Sequence, residues 1–348
     1  MISDDAWAAS RLGLKKRTTA QPARRPPSAS ATLSRLGKNG PLRLRATTAM
    51  ATAANVGKRM TRSLIHPKWL NHPKGVTEGY SLEVTVGDIP ALAEVATKIW
   101  PTAPIAIPYL PGEGNDARLA AARTARDLGF EPMPHFSARR IVSSSELKDF
   151  LTRAVADAGI ERCFVVAGDP SSPAGPFSDS ASVIATGLFE RSGIKVIGVG
   201  GHPEGHPVMS EAQCWAVLEA KCRSIAERGM APLIVTQFAF DADVILAWLE
   251  ALRTRGLDYP VRIGVSGPAG VTTLLRFAAQ CGVGASTSML SKYGISIGSL
   301  LGPAGPDKFV DRLAIGLGEK HGAVRLHFYP FGGLARTVDW IERHSARS

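Results

Sequence analysis

Apolar positions in this chain come in short unbroken runs, separated by longer stretches in which they recur every three or four residues. The sharpest run is Leu233-Ile234-Val235 within PLIVTQFAFD, residues 232–241. A continuous run of this length is what a strand buried on both faces carries. It ends in Thr236, Gln237, Phe238 and Phe240, and Asp241 stands where a helix begins, since a carboxylate there accepts orphan N–H groups of the first turn. The strand is therefore expected to present an amide and two aromatic rings at its C-terminal end.

From Gly79 the same alternation repeats. Strands are predicted at 80–86, 104–110, from 132 onward, at 162–168, 195–200, 232–235, 261–265 and 324–329. Helices are predicted at 89–100, 116–128, 145–158, 181–191, 211–227, 242–255, 271–280 and 337–344, and glycine stops several of them. Eight short, two-face-buried strands alternating with helices over about 270 residues predict a (β/α)8 TIM barrel. The competing architecture is a doubly wound Rossmann-type sheet. GVGGHPEG around Gly198 is not GxGxxG, and no acidic residue closes the next strand, so that fingerprint is weak. Residues 284–320 read as an extra helical excursion before the last strand.

Charge divides the chain in two. The net charge is +11, yet residues 1–78 hold 15 Lys/Arg and 3 Asp/Glu, a net of +12, leaving −1 for residues 79–348. The barrel itself is neutral, which argues against a nucleic-acid role for it. Residues 1–78 form a basic, low-structure extension rich in Ala, Ser, Thr, Pro and Arg. Three readings of it stand side by side: a translation start placed upstream of Met50 or Met60, a basic tail for anionic partners, or an Arg-rich targeting segment. Trp69 and Leu70 are expected to pack on the barrel. An apolar content of 45% suits a soluble globular protein, and no apolar run is long enough for a membrane span. The four cysteines show neither CxxC nor metal spacing and read as reduced thiols of a cytoplasmic protein.

In a barrel, all strand C-termini converge on one face. Those ends bring together Glu83, Tyr109, His135, Asp169, the GGHPEGHP loop at 200–207, Gln237 with its two phenylalanines, Ser266-Gly267 and 328–333. Glu83 lies between Leu82 and Val84, where burial raises a carboxyl pKa and suits a general acid, or where it pairs with an interior arginine. Asp169 precedes Pro170 and is a ligand contact or a turn former. His135 either meets a ligand or satisfies a backbone carbonyl. His202, Glu204 and His206 are interrupted by proline and glycine and cannot share a helical face as HExxH does, so no metal is expected. The constellation suits a flat heteroaromatic ligand better than a phosphate.

Five motifs then line up in order. VTQFAFD (235–241) resembles ITQFFFD of the methylenetetrahydrofolate reductase family, and GGHPEGHP (200–207) resembles its AAYPEVHP. PHFSAR (134–139), LHFYPF (326–331) and SLEVTV (81–86) resemble PHLTC, HFYTLN and SFEFFPP. The resemblance covers residues 79–334. It implies NAD(P)H-dependent reduction of a tetrahydrofolate substrate through FAD, in one-carbon metabolism and methionine biosynthesis. It assigns Glu83 as the acid that protonates the folate, Asp169 as a second catalytic residue that contacts the pterin and tunes the flavin, Gln237 to the pterin, and Phe277 and Phe331 to the substrate. It places His135, Ala167, Gly168, Asp169, His202, His206, Tyr109 and Phe238 at cofactor contacts. Several positions depart from the family. Ala167 replaces an arginine, Pro108 a threonine and His202 a tyrosine; Gly333 stands where an arginine is usual; and neither Lys221 nor Arg223 aligns with the family's basic residues. These departures leave open a flavin-free version in which the nicotinamide delivers hydride directly. The readings from other classes are a non-catalytic folate- or flavin-binding barrel and a methyltransferase partner that uses methyltetrahydrofolate. A homo-oligomer is compatible with all of them.

Overall fold

The computed structural model describes residues 75–281 and 303–347. Eight parallel strands close into a barrel: β1 (Ser81–Glu83), β2 (Pro104–Ile107), β3 (Glu131–Ser137), β4 (Arg162–Val166), β5 (Val196–Gly201), β6 (Ala231–Phe238), β7 (Val261–Ser266) and β8 (Val324–Tyr329). Each strand pairs with its neighbours in chain order, and β8 closes onto β1 through Ser81–His327 and Leu82–Phe328. The TIM barrel expected from the repeat is the fold, and the doubly wound sheet is not.

The helices follow as α1 (Ile89–Val95), α2 (Asn115–Asp127), α3 (Ser144–Ala158), α4 (Ser180–Ile184), α5 (Leu188–Arg191), α6 (Glu211–Glu227), α7 (Ala242–Thr254), α8 (Val271–Cys281), α9 (Asp307–Gly316) and α10 (Leu334–Ser345). Local chemistry explains their starts. Ser143 accepts from the Glu146 N–H to cap α3, Ser210 and Gln213 form a reciprocal box at α6, and Asp241 accepts from the Asp243 N–H at α7. Three predicted elements come out differently. The first strand stops at Glu83 because the Thr85 hydroxyl and N–H both bond Asp88, which starts a helical turn. The helix predicted at 89–100 breaks into α1 and a 3-10 turn, Ala96–Lys98. The helix predicted at 181–191 is two helices interrupted at Thr186 and Gly187. Of the excursion before β8, α9 and a two-residue ribbon (Ala269–Gly270 with Pro303–Ala304) are described. Residues 282–302, and the basic segment with Trp69 and Leu70, lie outside the described residues.

Strand alternation produces two cores. Outward residues such as Leu82, Ile105, Val165, Val199, Ile263 and Phe328 pack against the helices. Inward residues Ala106, Met133, Phe164, Val166, Leu233 and Val235 form a separate cluster inside the barrel. No helix among the described residues is long and apolar enough to cross a membrane.

Candidate active site

Alternation along β1 turns Ser81 and Glu83 inward while Leu82 joins the outer core. Glu83 pairs in register with Ala106, so apolar surface lies beside its carboxyl. Two imidazoles reach the same carboxyl oxygen: His135 Nε2 from β3 and His327 Nε2 from β8 each stand 3.9 Å from Glu83 Oε2. All three side chains are buried. Burial lifts the Glu83 carboxyl above its ordinary range, with His135 opposing. Burial lowers His135 to about 4 and His327 to about 3, so both imidazoles are neutral at pH 7. The interior arginine considered for Glu83 is therefore replaced by two uncharged rings. His135 is held from behind, because the buried Arg118 guanidinium donates to its carbonyl and lies 4.1 Å from the centre of the Tyr109 ring. Tyr109 thus supports the His135 strand end.

At the end of β4, Asp169 pairs with Arg140 at 2.9 Å, and its side chain is only 6% exposed. Ala167 and Gly168 are half-buried beside it. Gly168 adopts φ +88°, and a Cβ there would collide with Ser137 Oγ, so only glycine fits this turn. The Ser137 hydroxyl is buried with no hydrogen-bond partner, as a ligand-facing donor would be in the free protein.

On β6 the ladder to β7 shifts register between Val235 and Phe238. The Thr236 hydroxyl accepts from the Gly264 N–H at 2.8 Å and donates to the Gln237 carbonyl. Gly264 permits this, since a Cβ would collide with the Gln237 carbonyl oxygen. Such a bulge re-aims the strand end, and Gln237 continues the inward series Leu233, Val235. Phe238 and Phe240 are buried at 1% and 0% exposure, and Phe238 lies 5.2 Å from Phe331 between ring centres. Phe277 on α8 stacks parallel to Phe331 at 4.1 Å, and Phe331 remains partly exposed.

The loop after β5 behaves as two parts. His202 and His206 meet edge to face at 4.8 Å, whereas Glu204 turns away and accepts from the Phe240 and Asp241 N–H groups at the head of α7, both at 3.0 Å. Burial raises Glu204 to about 7 and lowers His202 to about 2. Beside His202 lies a cavity of about 150 Å3 walled by Trp215 and Trp248, which stack at 5.4 Å. No metal-binding cluster of His, Cys, Asp or Glu occurs among the described residues.

Sequence reasoning singled out neither His327 nor Ser81 nor Arg140. The parity of β8 carried a usable signal, because His327 shares strand parity with Arg325 while Val324, Leu326 and Phe328 join the outer core.

The family model described as methylenetetrahydrofolate reductase matches residues 111–297. Methylenetetrahydrofolate reductase (NADH) 1 of Arabidopsis thaliana is 26% identical over 174 residues, covering 46% of this chain and 29% of that protein. The match thus spans less than a third of that relative's length. Two structures of dihydropteroate synthase from Thermus thermophilus are similar at TM-scores of 0.44 and 0.41, with 13% and 14% identity. They cover 79% and 76% of this chain and 95% and 92% of theirs, the second being a complex with 6HMPPP.

Proposed function

The chain belongs to the methylenetetrahydrofolate reductase family, and on that premise we propose that it reduces 5,10-methylenetetrahydrofolate to 5-methyltetrahydrofolate with electrons from NAD(P)H, Glu83 acting as general acid. The observation that carries this reading is the buried Glu83 carboxyl, raised in pKa and flanked by two neutral imidazoles at the end of β1. Opening the five-membered ring requires a proton on the bridging amine nitrogen. The C–N bond then breaks, its electron pair stays on that nitrogen, and the lone pair of the other ring nitrogen makes the methylene carbon an iminium, which takes a hydride that originates in NAD(P)H. A carboxyl that burial makes harder to ionise holds its proton to higher pH and is suited to supply it. Asp169, held by Arg140, and Gln237, aimed by the β6 bulge, orient the pterin edge. The Phe277–Phe331 stack provides the apolar wall.

A bound flavin would supply a two-electron carrier between nicotinamide and folate. The unpartnered Ser137 hydroxyl, the Gly168 turn, neutral His135 and the His202–His206 edge fit its ring system. A second reading, direct hydride transfer from nicotinamide to folate, is favoured by the cation supply at the ends of β4 and β5. Arg139 donates to the Ser178 and Pro170 carbonyls, Arg140 pairs with Asp169, Lys221 is buried, and Ala167 contributes no charge. One dinucleotide draws less on that supply than two.

The test is oxidation of NADH or NADPH by the purified protein with methylenetetrahydrofolate, followed by product analysis. Methyltetrahydrofolate should form in step with nicotinamide oxidation, and Glu83→Gln should remove turnover while folate still binds. A wild-type protein that binds folate without turning it over returns the assignment to a binding barrel. Visible flavin absorbance in the purified protein supports the FAD version; a colourless protein that turns over supports direct transfer.

A further inference from the structure

Ser81 has no part in the chemistry proposed so far and His327 only flanks the acid, yet the two form one chain with Glu83. Ser81 and Glu83 sit two residues apart on the inward face of β1, and Ser81 faces His327 across the β1–β8 ladder. The imidazole bridges the two. Its Nδ1 lies 2.8 Å from Ser81 Oγ, and its Nε2 lies 3.9 Å from Glu83 Oε2. The serine hydroxyl has a second acceptor, the Leu326 carbonyl at 3.5 Å. A hydroxyl proton directed there leaves Oγ to accept Nδ1–H, which puts the lone pair of Nε2 toward the glutamate.

We propose that His327, its tautomer locked by Ser81, is a positioning residue that accepts the Glu83 O–H and so aims the acid's proton-bearing oxygen. This rests on Glu83 being the acid. The arrangement has the logic of a triad read in reverse: a serine orients an imidazole, and the imidazole orients the acting group. A neutral nitrogen acceptor favours the protonated carboxyl, whereas an N–H donor at the same place would favour the carboxylate. The other groups facing this cluster agree with a neutral ring. His135 approaches the same oxygen from β3, Arg118 of α2 backs His135, and Arg262 of β7 acts on His327, adding to burial in keeping it unprotonated. The present 3.9 Å separation is longer than a hydrogen bond, and such contacts close when substrate fills a site.

The experiment follows the protonated carboxyl of Glu83 in the full chain by infrared difference against Glu83→Gln, as a function of pH. Ser81→Ala releases the tautomer, and His327→Gln lets an amide N–H turn onto the carboxylate. Both should lower the carboxyl's midpoint by about one pH unit, a tenfold change in its protonation equilibrium. The alkaline limb of folate turnover should move with it, while KM for folate stays nearly constant. A histidine that merely fills space would change stability and leave the midpoint in place. An unmoved midpoint in folded Ser81→Ala and His327→Gln overturns the proposal. Full turnover by Glu83→Gln instead overturns the acid assignment on which it rests. Should His327→Gln fail to fold, Ser81→Ala, which loses one hydroxyl, decides the matter alone.

Discussion

Inside the barrel, below the polar mouth residues His135 and Gln237, the arc from β2 to β6 is built from different material than the arc from β7 through β8 to β1. The first is lined by Ala106, Met133, Phe164, Val166, Leu233 and Val235. The second buries Arg262, Ser266, Arg325, His327, Ser81 and Glu83. The apolar arc does chemistry indirectly, because it keeps water from the polar arc and makes a charge there costly. The Glu83 carboxyl is raised above its ordinary range and both histidines stay neutral for that reason. The difference teaches that the acid is a property of the facing wall as much as of the glutamate.

The largest break in this comparison is Glu83→Gln. Turnover should fall by about 10²–10⁴-fold, the usual contribution of a general acid. Stability should move the other way. The folded-state pKa of Glu83 is raised, so its contribution is complete below the ordinary value of 4.5 and is lost as pH rises through the raised value. Thermal melts should show the Gln variant gaining on wild type as pH climbs above 4.5. A parallel pH dependence of the two would mean the carboxyl is ionised in the fold.

Leu233→Ala strikes the opposite arc and should cost about 2–5 kcal/mol in urea unfolding, through lost transfer energy and a cavity. Activity per folded molecule should persist; a loss as deep as that of Glu83→Gln would erase the distinction between wall and acid. Acid provides a third probe. His135 and His327 have depressed folded pKa values, so their stabilisation is complete above 6.5 and is lost as pH falls through about 4 and about 3. His135 alone should account for roughly 3 kcal/mol between pH 7 and pH 3, measured by denaturant titration at each pH. A flat profile would show that the imidazoles are hydrated.

The smallest effect belongs to the loop anchor. Glu204 is raised to about 7, so its stabilisation is present below 4.5 and fades as pH rises through 7. Glu204→Gln keeps a carbonyl for the Phe240 and Asp241 N–H groups without the charge. It should raise stability above pH 7 by on the order of 1 kcal/mol, the burial cost of the charge less the capping a carboxylate gives a helix N-terminus. A drop there would mean that the ionised carboxylate is the better cap.

Much of the scaffold was legible because its signals are local. The helix Glu211–Glu227 and the strand Val324–Tyr329 fall where periodicity placed them. Asp241 caps α7 as its position before an apolar pattern implied. Glu83 stood out as an acid inside an apolar run, and the structure buries it. The β6 bulge was not legible, because nothing in PLIVTQFAFD announces the Thr236 hydroxyl inserting into the ladder. Asp169 was visible as a loop entry, but its Arg140 partner was not, since the pair forms between two separate loop ends.

By itself, the sequence determined the eightfold alternation, the ends of most helices and the strand ends that carry polar groups. These follow from periodicity, capping and the geometry of successive residues. Only the tertiary structure decided that residues 81, 83, 135 and 327 share one oxygen-centred cluster. Their meeting depends on closure of β8 onto β1 and on the register of that ladder. The protonation of Glu83 likewise depends on which side chains face it across the barrel, a property no single segment carries.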